Sequence, residues 1–436
     1  MVKARSTWPA GAASALALLL GACFPGDRPV AQRMACAGDT CACMAGFDDC
    51  DDVAYNGCET DLALDPRHCG ACDIRCDNGQ CVDGECQAAA GYVNCNLSWD
   101  DGFEAHLQSD SNNCGECDRD CQGGSCVDGR CEPFLVTEPG LWALELRTDA
   151  THLYFCEYWT ESIMRIPQRG GPVEVLAVDQ GCGYSLSVAG DKVYWDSDVG
   201  EDVSLTLVIE ASLQSGGTTV IGSAESIWSI RARGDTVAWG ASADDGTEDE
   251  TIVVRDGATA APVEVYRTMD NLGALALTDD HVFFLEYVTY DDPIQLMKIP
   301  LAGGAATPIA DLGSEGVDGL QATGEHLWWI EWIEEESDVY GYRLMQLPLA
   351  SSTPIELYHG QNGEKSYQYV PLHADDSGAY WSEQEGVRLL YVGPEGGDPL
   401  ELASYQEIEE LTAGRDAIFW HDYPGKILGL AKETTP

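Results

Sequence analysis

The chain has 436 residues, with 74 acidic and 23 basic side chains and a formal net charge of −51 at pH 7. That balance argues against nucleic acid as a partner, because binding to phosphates depends on clustered lysine and arginine. The length suffices for more than one domain, and the 19 cysteines indicate an exported, disulfide-bonded protein. The acidic surface by itself predicts strong hydration and solubility.

Residues 1–22 have the pattern of an export signal. Lys3 and Arg5 precede an apolar run over residues 10–20, which is too short to span a bilayer permanently. The run ends in Leu-Gly-Ala-Cys, which resembles the bacterial lipobox, whose cysteine becomes the lipidated first residue of the mature protein. The resemblance implies a lipid anchor on Cys23; the alternative is a plain signal peptide with an incidental cysteine.

A short tether follows the anchor. Residues 23–35 contain proline, glycine and charged residues and no apolar pattern. Phe24 stands where an aspartate would favour the inner membrane, so the lipoprotein resemblance implies the outer membrane and the cell surface. The expected partners of the chain therefore include a membrane, contacted through the lipid.

Residues 36–132 form a disulfide-rich region with two tandem repeats, at about 46–90 and 91–132, which align without gaps at an offset of 45. The repeats share six cysteines: Cys50, Cys69, Cys72, Cys76, Cys81 and Cys86 match Cys95, Cys114, Cys117, Cys121, Cys126 and Cys131. We expect each repeat to close its own six cysteines as three bridges, with the connectivity left open.

Besides Cys23, six cysteines lie outside these two sets. Cys58 stands where the second repeat has Phe103, so we expect it to join the three cysteines that precede the first repeat in forming two bridges. Those three are Cys36, Cys41 and Cys43. The last two, Cys156 and Cys182, are expected to bridge each other.

The first repeat also carries a run of acidic residues, namely Asp48, Asp49, Asp51 and Asp52. Their spacing is not that of an EF-hand loop, so we expect solvated side chains and no cofactor, with calcium as the alternative. Residues 56–62 (Asn-Gly-Cys-Glu-Thr-Asp-Leu) and 68–72 (His-Cys-Gly-Ala-Cys) resemble Cys-rich repeats of myxobacterial surface proteins. That resemblance implies a location and no activity.

A phrase of apolar and aromatic residues recurs seven times within residues 133–436, at spacings of 39 to 52 residues. A period of this size built from short strands predicts a β-propeller. The copies end at Phe155, Trp195, Trp239, Phe284, Trp329, Trp381 and Trp420. An alternating apolar strand precedes each copy, with leucine or isoleucine nine residues before the final aromatic, and we predict that it is the inner strand of each blade.

The two ends of the repeat array predict how the ring closes. The seventh unit lacks a fourth strand, and an unassigned strand (Pro-Phe-Leu-Val) at residues 133–136 precedes the first unit. Placing it on the last blade removes two exposed sheet edges. The sequence therefore predicts an all-β chain with a seven-bladed propeller in Velcro closure, with a six-bladed ring as the alternative.

An acid stands two residues after the phrase in five of the seven copies: Glu157, Glu286, Glu331, Glu383 and Asp422. This pattern resembles the YWTD repeats of the LDL-receptor class and the related NHL repeats. The resemblance implies the fold and no particular ligand, and YWTD propellers have six blades. We expect the acids to end a strand and to hydrogen-bond the next blade.

The variable face of the inner strands is the best candidate for a site, because it lines the central channel. The candidate ligand-binding residues are Arg147, Arg231, Gln321, His373, Glu145 and Glu410. Two arginines, a histidine and two glutamates near one axis suit an acidic or sugar-like ligand. The alternative is a water-filled channel whose charges pair with each other.

The sequence contains no nucleophile elbow, phosphate loop or HExxH motif, so we assign no catalytic residue. We favour a binding or scaffold role at the cell surface, toward a protein or glycan ligand. The alternative is a propeller-based lyase or hydrolase with its site at the channel mouth. The seven-bladed streptogramin lyase is a precedent, with His373, Glu145 and Glu410 as counterparts here, although no catalytic motif matches.

Overall fold

A computed structural model describes residues 8–9, 33–37, 40–53, 56–137, 140–178, 181, 183, 185–198, 205–243, 245–288, 292–313, 315–336, 339–361, 370–383, 387–404, 408–422 and 425–432. Within these ranges the chain forms strands and turns and no helix, hence none long and apolar enough to cross a membrane. The expected lipidation site, Cys23, lies outside them, as do most of the expected signal peptide and tether. The chain divides into two compact units, Met1–Glu132 and Pro133–Pro436.

The first unit consists of short antiparallel pairings of two or three strands. Its strands are Trp8–Pro9, Met34–Ala37, Thr40–Cys43, Phe47–Asp48, Thr60–Asp61, Gly79–Val82, Glu85–Ala88, Tyr92–Val93, Ala105–His106, Cys126–Val127 and Arg130–Cys131. Strands this short bury little apolar surface, so cross-links must supply much of the stability.

Each repeat closes its six cysteines as three disulfides in the same pattern. The bridges are Cys50–Cys72, Cys69–Cys81 and Cys76–Cys86 in the first repeat, and Cys95–Cys117, Cys114–Cys126 and Cys121–Cys131 in the second. A seventh bridge joins Cys43 and Cys58. The sulfurs in these bridges are not thiolates, so the close groups of cysteines in the repeats are not metal sites.

The other predicted disulfides, those of Cys156 and of the cysteines before the first repeat, are only partly covered by the described residues. Cys156 is disulfide-bonded. The side chains of Cys36 and Cys41, and all of Cys182, lie outside the described part of the chain, so the pairings that involve them stay predictions.

The break in the match between the repeats has a packing reason. Phe103, which replaces Cys58 in the second repeat, is buried against Cys69, Cys76 and Cys81 of the first repeat. Its carbonyl oxygen also accepts a hydrogen bond from the Asn78 side-chain amide at 2.9 Å. The aromatic ring therefore joins the second repeat to the first.

The second unit is a ring of seven four-stranded antiparallel sheets, which confirms the predicted fold and excludes the six-bladed alternative. The blades are, in order, Ala143–Thr148, His152–Glu157, Ser162–Pro167, Glu174–Ala177; Leu186–Ala189, Lys192–Asp198, Thr206–Ser212, Thr218–Ala224; Ile227–Arg233, Thr236–Ser242, Glu250–Asp256, Val263–Thr268; Asn271–Leu277, His281–Tyr287, Gln295–Pro300, Thr307–Asp311; Val317–Ala322, His326–Glu336, Val339–Pro348, Ile355–Gln361; Leu372–Asp375, Gly378–Glu383, Arg388–Val392, Leu400–Ser404; and Ile408–Ala413, Ala417–Asp422, Lys426–Ala431 with Phe134–Thr137.

The ring closes as predicted. Strand Phe134–Thr137 pairs antiparallel with strand Lys426–Ala431, with Phe134 opposite Gly429. A side chain at Gly429 would meet the Phe134 ring, since a Cβ there would lie 2.4 Å from that ring. Phe134 also stacks edge-to-face with Phe419 at 6.4 Å between ring centroids.

The core of the propeller lies between the blades. Six buried clusters each combine residues of two neighbouring blades. The last two positions of the phrase alternate across the second strand and therefore point to opposite faces of the blade. In the second blade, for example, Trp195 packs against the blade before it and Tyr194 against the blade after it.

The acids that follow the phrase are buried, and the predicted partner was wrong for Glu286 and Glu383. Glu286 accepts a 2.6 Å hydrogen bond from Tyr266 of the preceding blade. Glu383 accepts bonds from Tyr342 and Tyr358 of the preceding blade, at 2.8 and 3.0 Å. These bonds therefore run backward along the chain, because the outer strands of one blade lie beside the second strand of the next.

Replacing Phe134 tests the closure. We expect Phe134→Ala to lower the free energy of unfolding by about 3–5 kcal/mol, because it empties a buried aromatic site in the closing strand. Leu135→Ala is the matched control, since its side chain lies on the opposite face and is 44% exposed. Urea unfolding with intact disulfides gives both values; similar losses for the two variants would contradict the closure.

Candidate functional site

The first strand of each blade contacts the first strands of both neighbouring blades, and together the seven strands surround a central channel. The channel contains a cavity of about 290 Å³. Its polar lining residues are Arg147, Ser187, Arg231, Arg233, Gln321, His373 and Glu410. Five of the six residues that the sequence indicated as ligand-binding candidates therefore lie on one cavity.

Glu145, the sixth candidate, lies beside the cavity and not on its lining. It lies where the pairing register of the first blade's inner strand shifts, and its carboxylate forms an ion pair with Arg147. Its φ is +56°, in the left-handed region. Gly319, at the equivalent position of the fifth blade, has a φ of +67°. Glu145 thus holds a strained backbone conformation that glycine adopts at no steric cost.

The cavity is basic, although the chain as a whole is strongly acidic. Arg147, Arg231 and Arg233 line it, and Glu410 is the one acidic residue among its lining residues in the described part of the chain. The chain has about three acidic residues for each basic one. A cleft with one sign of charge between low-dielectric walls concentrates ligands of the opposite sign.

Arg233 was missed by the sequence analysis. It lies two residues after Arg231 on the same strand, so the period of a strand places both side chains on one face. That period was a usable signal. Arg233 also forms an ion pair with Asp279 of the next blade at 2.5 Å, so it joins two blades as well as lining the cavity.

Two titratable groups in the cavity have perturbed pKa values. Burial and the neighbouring Glu145 carboxylate raise the pKa of Glu410 to about 7, against the effect of Arg147. Burial lowers the pKa of His373 to about 4, although Asp375 acts in the opposite direction. At neutral pH the histidine is therefore uncharged, and the negative charge of Glu410 is reduced.

Gln321 and Ser187 connect neighbouring inner strands. The Gln321 amide donates to the carbonyl oxygen of Leu372 at 2.5 Å and accepts from the backbone of Ala374 at 2.9 Å. Ser187 accepts a 2.9 Å hydrogen bond from the backbone of Ala232 in the same way. Both polar ends of Gln321 are thus occupied by the sixth blade, so the structure gives this candidate a structural role.

A group of aromatic side chains lies at the chain turns of the first blade. Trp159 is 70% exposed, and its ring lies 5.1 Å from that of Tyr158 and 6.3 Å from that of Trp142. Trp142 lies 6.4 Å from the His421 ring, whose Nδ1 is 3.2 Å from Glu409. We call Trp142, Tyr158 and Trp159 the aromatic group.

The sequence analysis missed the aromatic group, although one signal was present. The pair Tyr158-Trp159 falls in the turn between two predicted strands, where a large exposed aromatic side chain has no role in the fold.

Solved structures share the propeller fold at low sequence identity. The propeller domain of the trilobed protease from Pyrococcus furiosus has a TM-score of 0.51 and 11% identity, covering 68% of this chain and 95% of that one. Oligogalacturonate lyase in complex with manganese has a TM-score of 0.51 and 10% identity, covering 69% and 96%. BamB from Moraxella catarrhalis has a TM-score of 0.42 and 13% identity, covering 66% and 81%.

These likenesses show the fold alone. The Pyrococcus domain has an open Velcro topology, whereas the ring of this chain is closed by its first strand. No protein-family model matches the chain, and no curated protein sequence does either.

Gln321→Ala tests whether this residue is structural. We expect a loss of about 1–3 kcal/mol in the free energy of unfolding, because the variant leaves a buried carbonyl and amide of the sixth blade without partners. Gln214→Ala, at an exposed turn position, is the control and should lose less than about 0.5 kcal/mol. Equal stability of the two variants in urea unfolding would contradict the structural role.

Glu410 predicts a pH dependence of stability. Its pKa is about 7 in the folded protein against 4.5 as the ordinary value, so between these limits the folded state holds a proton that the unfolded chain releases. The free energy of unfolding should therefore fall as pH rises through this window. The difference between the wild type and Glu410→Gln should change by roughly 1–3 kcal/mol between pH 4.5 and 7.5. A difference that stays constant across the window would contradict the raised pKa.

Proposed function

We propose that this chain is an exported, lipid-anchored cell-surface protein whose propeller binds a small carboxylate-bearing ligand, such as an acidic sugar, in its central channel. The observation that carries the proposal is the basic cavity: three arginines line it in a chain with a net charge of −51. Guanidinium groups are suited to carboxylates, because their planar donors match both oxygens.

The protonation states of the cavity support an anionic ligand. A carboxylate entering the channel meets Arg147 and Arg231. Because its pKa is raised to about 7, Glu410 repels an anion less than an ordinary glutamate does. Uncharged His373 offers one hydrogen-bond donor and one acceptor to hydroxyl groups. A volume of about 290 Å³ suits a single small residue of a larger ligand.

The aromatic group supports a glycan as the larger ligand. Exposed tryptophan and tyrosine rings offer apolar faces with a polar edge, which is the chemistry of many binding surfaces. Through His421 and Glu409, the group connects to the strand that carries Glu410. A glycan chain with one acidic unit in the channel would have these rings as a second contact.

Export and anchoring are supported by other features. Seven disulfides between described residues are typical of an oxidising compartment outside the cytoplasm. The lipobox-like segment that ends at Cys23 supports lipidation.

A lyase or hydrolase is the second candidate, and one observation favours it. A carboxyl group with a pKa of about 7, as in Glu410, is suited to general acid–base catalysis at neutral pH. The ion pair between Arg147 and Glu145 counts against catalysis, since it engages Glu145, the carboxylate that neighbours Glu410. Incubation of the protein with each glycan that it binds, followed by product analysis, distinguishes the two functions.

The binding experiment uses the protein without residues 1–23 against a panel of acidic and neutral glycans. Oligogalacturonate belongs in the panel, because it is the substrate named for one enzyme with this fold. We expect acidic glycans to bind and the double variant Arg147→Ala/Arg231→Ala to lose at least about tenfold in affinity, because each lost charge-assisted bond contributes more than about 1.4 kcal/mol.

Arg415→Ala is the control for the double variant, since this arginine is 87% exposed and its ion pair is with the adjacent Asp416. It removes a charge from the propeller without changing the channel. The channel is not the binding site if the double variant binds as tightly as this control. Affinity measured by calorimetry at fixed salt decides between these results.

A further inference from the structure

The two Cys-rich repeats carry the same set of oxygen-bearing side chains at matching positions. At the offset of 45, Asp49, Asp51, Asn56 and Glu59 correspond to Asn94, Asn96, Asp101 and Glu104. Every one of these side chains has a carboxylate or amide oxygen. The set lies in the first unit of the chain and is independent of the propeller channel.

In the first repeat the acidic members of the set lie close together. Carboxylate oxygens of Asp49, Asp51 and Glu59 lie within 4.8 Å of one another. Like charges at this separation repel and disfavour each other's ionised form. A bound cation would reverse that repulsion.

Unpartnered oxygens point to a ligand independently of the acidic cluster. The Oε2 atom of Glu59 and the Oδ1 atom of Asn56 are buried and have no hydrogen-bond partner among the described residues. In the second repeat the same is true of Glu104 Oε2 and Asn94 Oδ1. Buried acceptors without a partner are rare in folded proteins, and an ion is one of the accepted explanations.

The glutamate of each repeat is held so that one oxygen is fixed and the other is available. Glu59 Oε1 accepts hydrogen bonds from the Cys50 backbone at 3.2 Å and from the Thr60 hydroxyl at 2.9 Å. Glu104 Oε1 accepts bonds from the backbones of Cys95 and Asn96, both at 2.9 Å. Fixing one oxygen orients the other, as supporting hydrogen bonds do for metal ligands.

One hydrogen-bonded pair of side chains occurs in both repeats, but the carboxylate and the amide have changed places. In the first repeat the Asn56 amide donates to Asp51 Oδ2 at 3.1 Å. In the second, the Asn96 amide donates to Asp101 Oδ2 at 3.1 Å. The loop frame is thus common to both repeats, whereas the number of carboxylates falls from three to two.

We propose that the first repeat binds one calcium ion through the carboxylates of Asp49, Asp51 and Glu59 and the amide oxygen of Asn56, and that the second repeat holds a weaker form of the same site. All the ligand atoms are oxygens, which hard cations prefer. Calcium fits better than magnesium, because it accepts several protein oxygens in an irregular geometry, whereas magnesium keeps most of its water. Fewer carboxylates lower the affinity of the second site.

The test measures calcium binding to the chelator-treated protein with intact disulfides, by calorimetry, with magnesium as the competing ion. We expect one tight equivalent and a second at least about tenfold weaker. Glu59→Gln keeps the size of the side chain and the fixed oxygen, and should weaken the tight site at least about tenfold. Asp83→Asn, an exposed acid in a hairpin of the same repeat, is the control and should change nothing.

An exchange of residues between the repeats makes the test reciprocal. Asp49→Asn with Asp51→Asn and Asn56→Asp gives the first repeat the set of residues that the second already tolerates, so misfolding is not expected. This variant should bring the tight site to the affinity of the weak one. The reverse variant, Asn94→Asp with Asn96→Asp and Asp101→Asn, should strengthen the second site at least about tenfold.

Two results would overturn the proposal. One is the absence of both calcium-dependent heat and any calcium-dependent rise in the unfolding temperature of the wild type. The other is an unchanged tight affinity in both Glu59→Gln and the Asp49→Asn/Asp51→Asn/Asn56→Asp variant, when their unfolding in chelator matches that of the wild type. Neither result depends on whether the propeller channel binds a ligand.

Discussion

The propeller depends on one contact, which is repeated around the ring: aromatic side chains of each second strand packed between neighbouring blades. Consecutive residues of a strand point to opposite faces, so a phrase that ends in two large apolar residues reaches the blade before it and the blade after it. Trp328 packs with the sixth blade and Trp329 with the fourth. Each blade is therefore held by both of its neighbours, and an incomplete blade at either end would leave an exposed edge. The closing strand at Phe134 follows from this requirement.

The same contact explains which parts of the fold could be predicted from sequence. Residues that repeat at a fixed spacing do so because each blade meets the same neighbour, and their period was sufficient for the blade count and the closure. The partner of the acids could not be predicted in this way. Glu286 and Glu383 accept hydrogen bonds from tyrosines on outer strands of the preceding blade. Tyr266 and Tyr358 share one register position of the fourth strand, but four other blades have alanine or glycine there, so the tyrosine does not recur around the ring.

The sequence predicted where the candidate site lies, but it predicted the roles of the site's residues only in part. The alternation of the inner strands located the channel, and most of the chosen residues line it. Gln321 has the same register as Arg147 and Arg231, but its length and its two-ended amide match the backbone edge of the next blade. An arginine at that position has no acceptor atom, so it cannot make the second bond. The register therefore determines where a side chain lies, and its chemistry determines which bonds it can make to the neighbouring inner strand.

The distribution of charge gives the propeller channel and the Cys-rich repeats opposite chemistry in one acidic chain. At the channel, Arg147 on the inner strand of the first blade forms an ion pair with Glu145, whose backbone conformation is strained. Strain of this kind persists where the surrounding structure enforces it and is concentrated at functional sites. In the first repeat the acids instead converge on each other, and two buried oxygens have no donor. An acidic surface alone requires neither three arginines on one cavity nor carboxylates that converge, because solvated carboxylates spread apart. Three arginines line one cavity, and several side-chain oxygens converge in one loop. Folding and solubility do not explain these two features, so they are the places where the sequence points to a function.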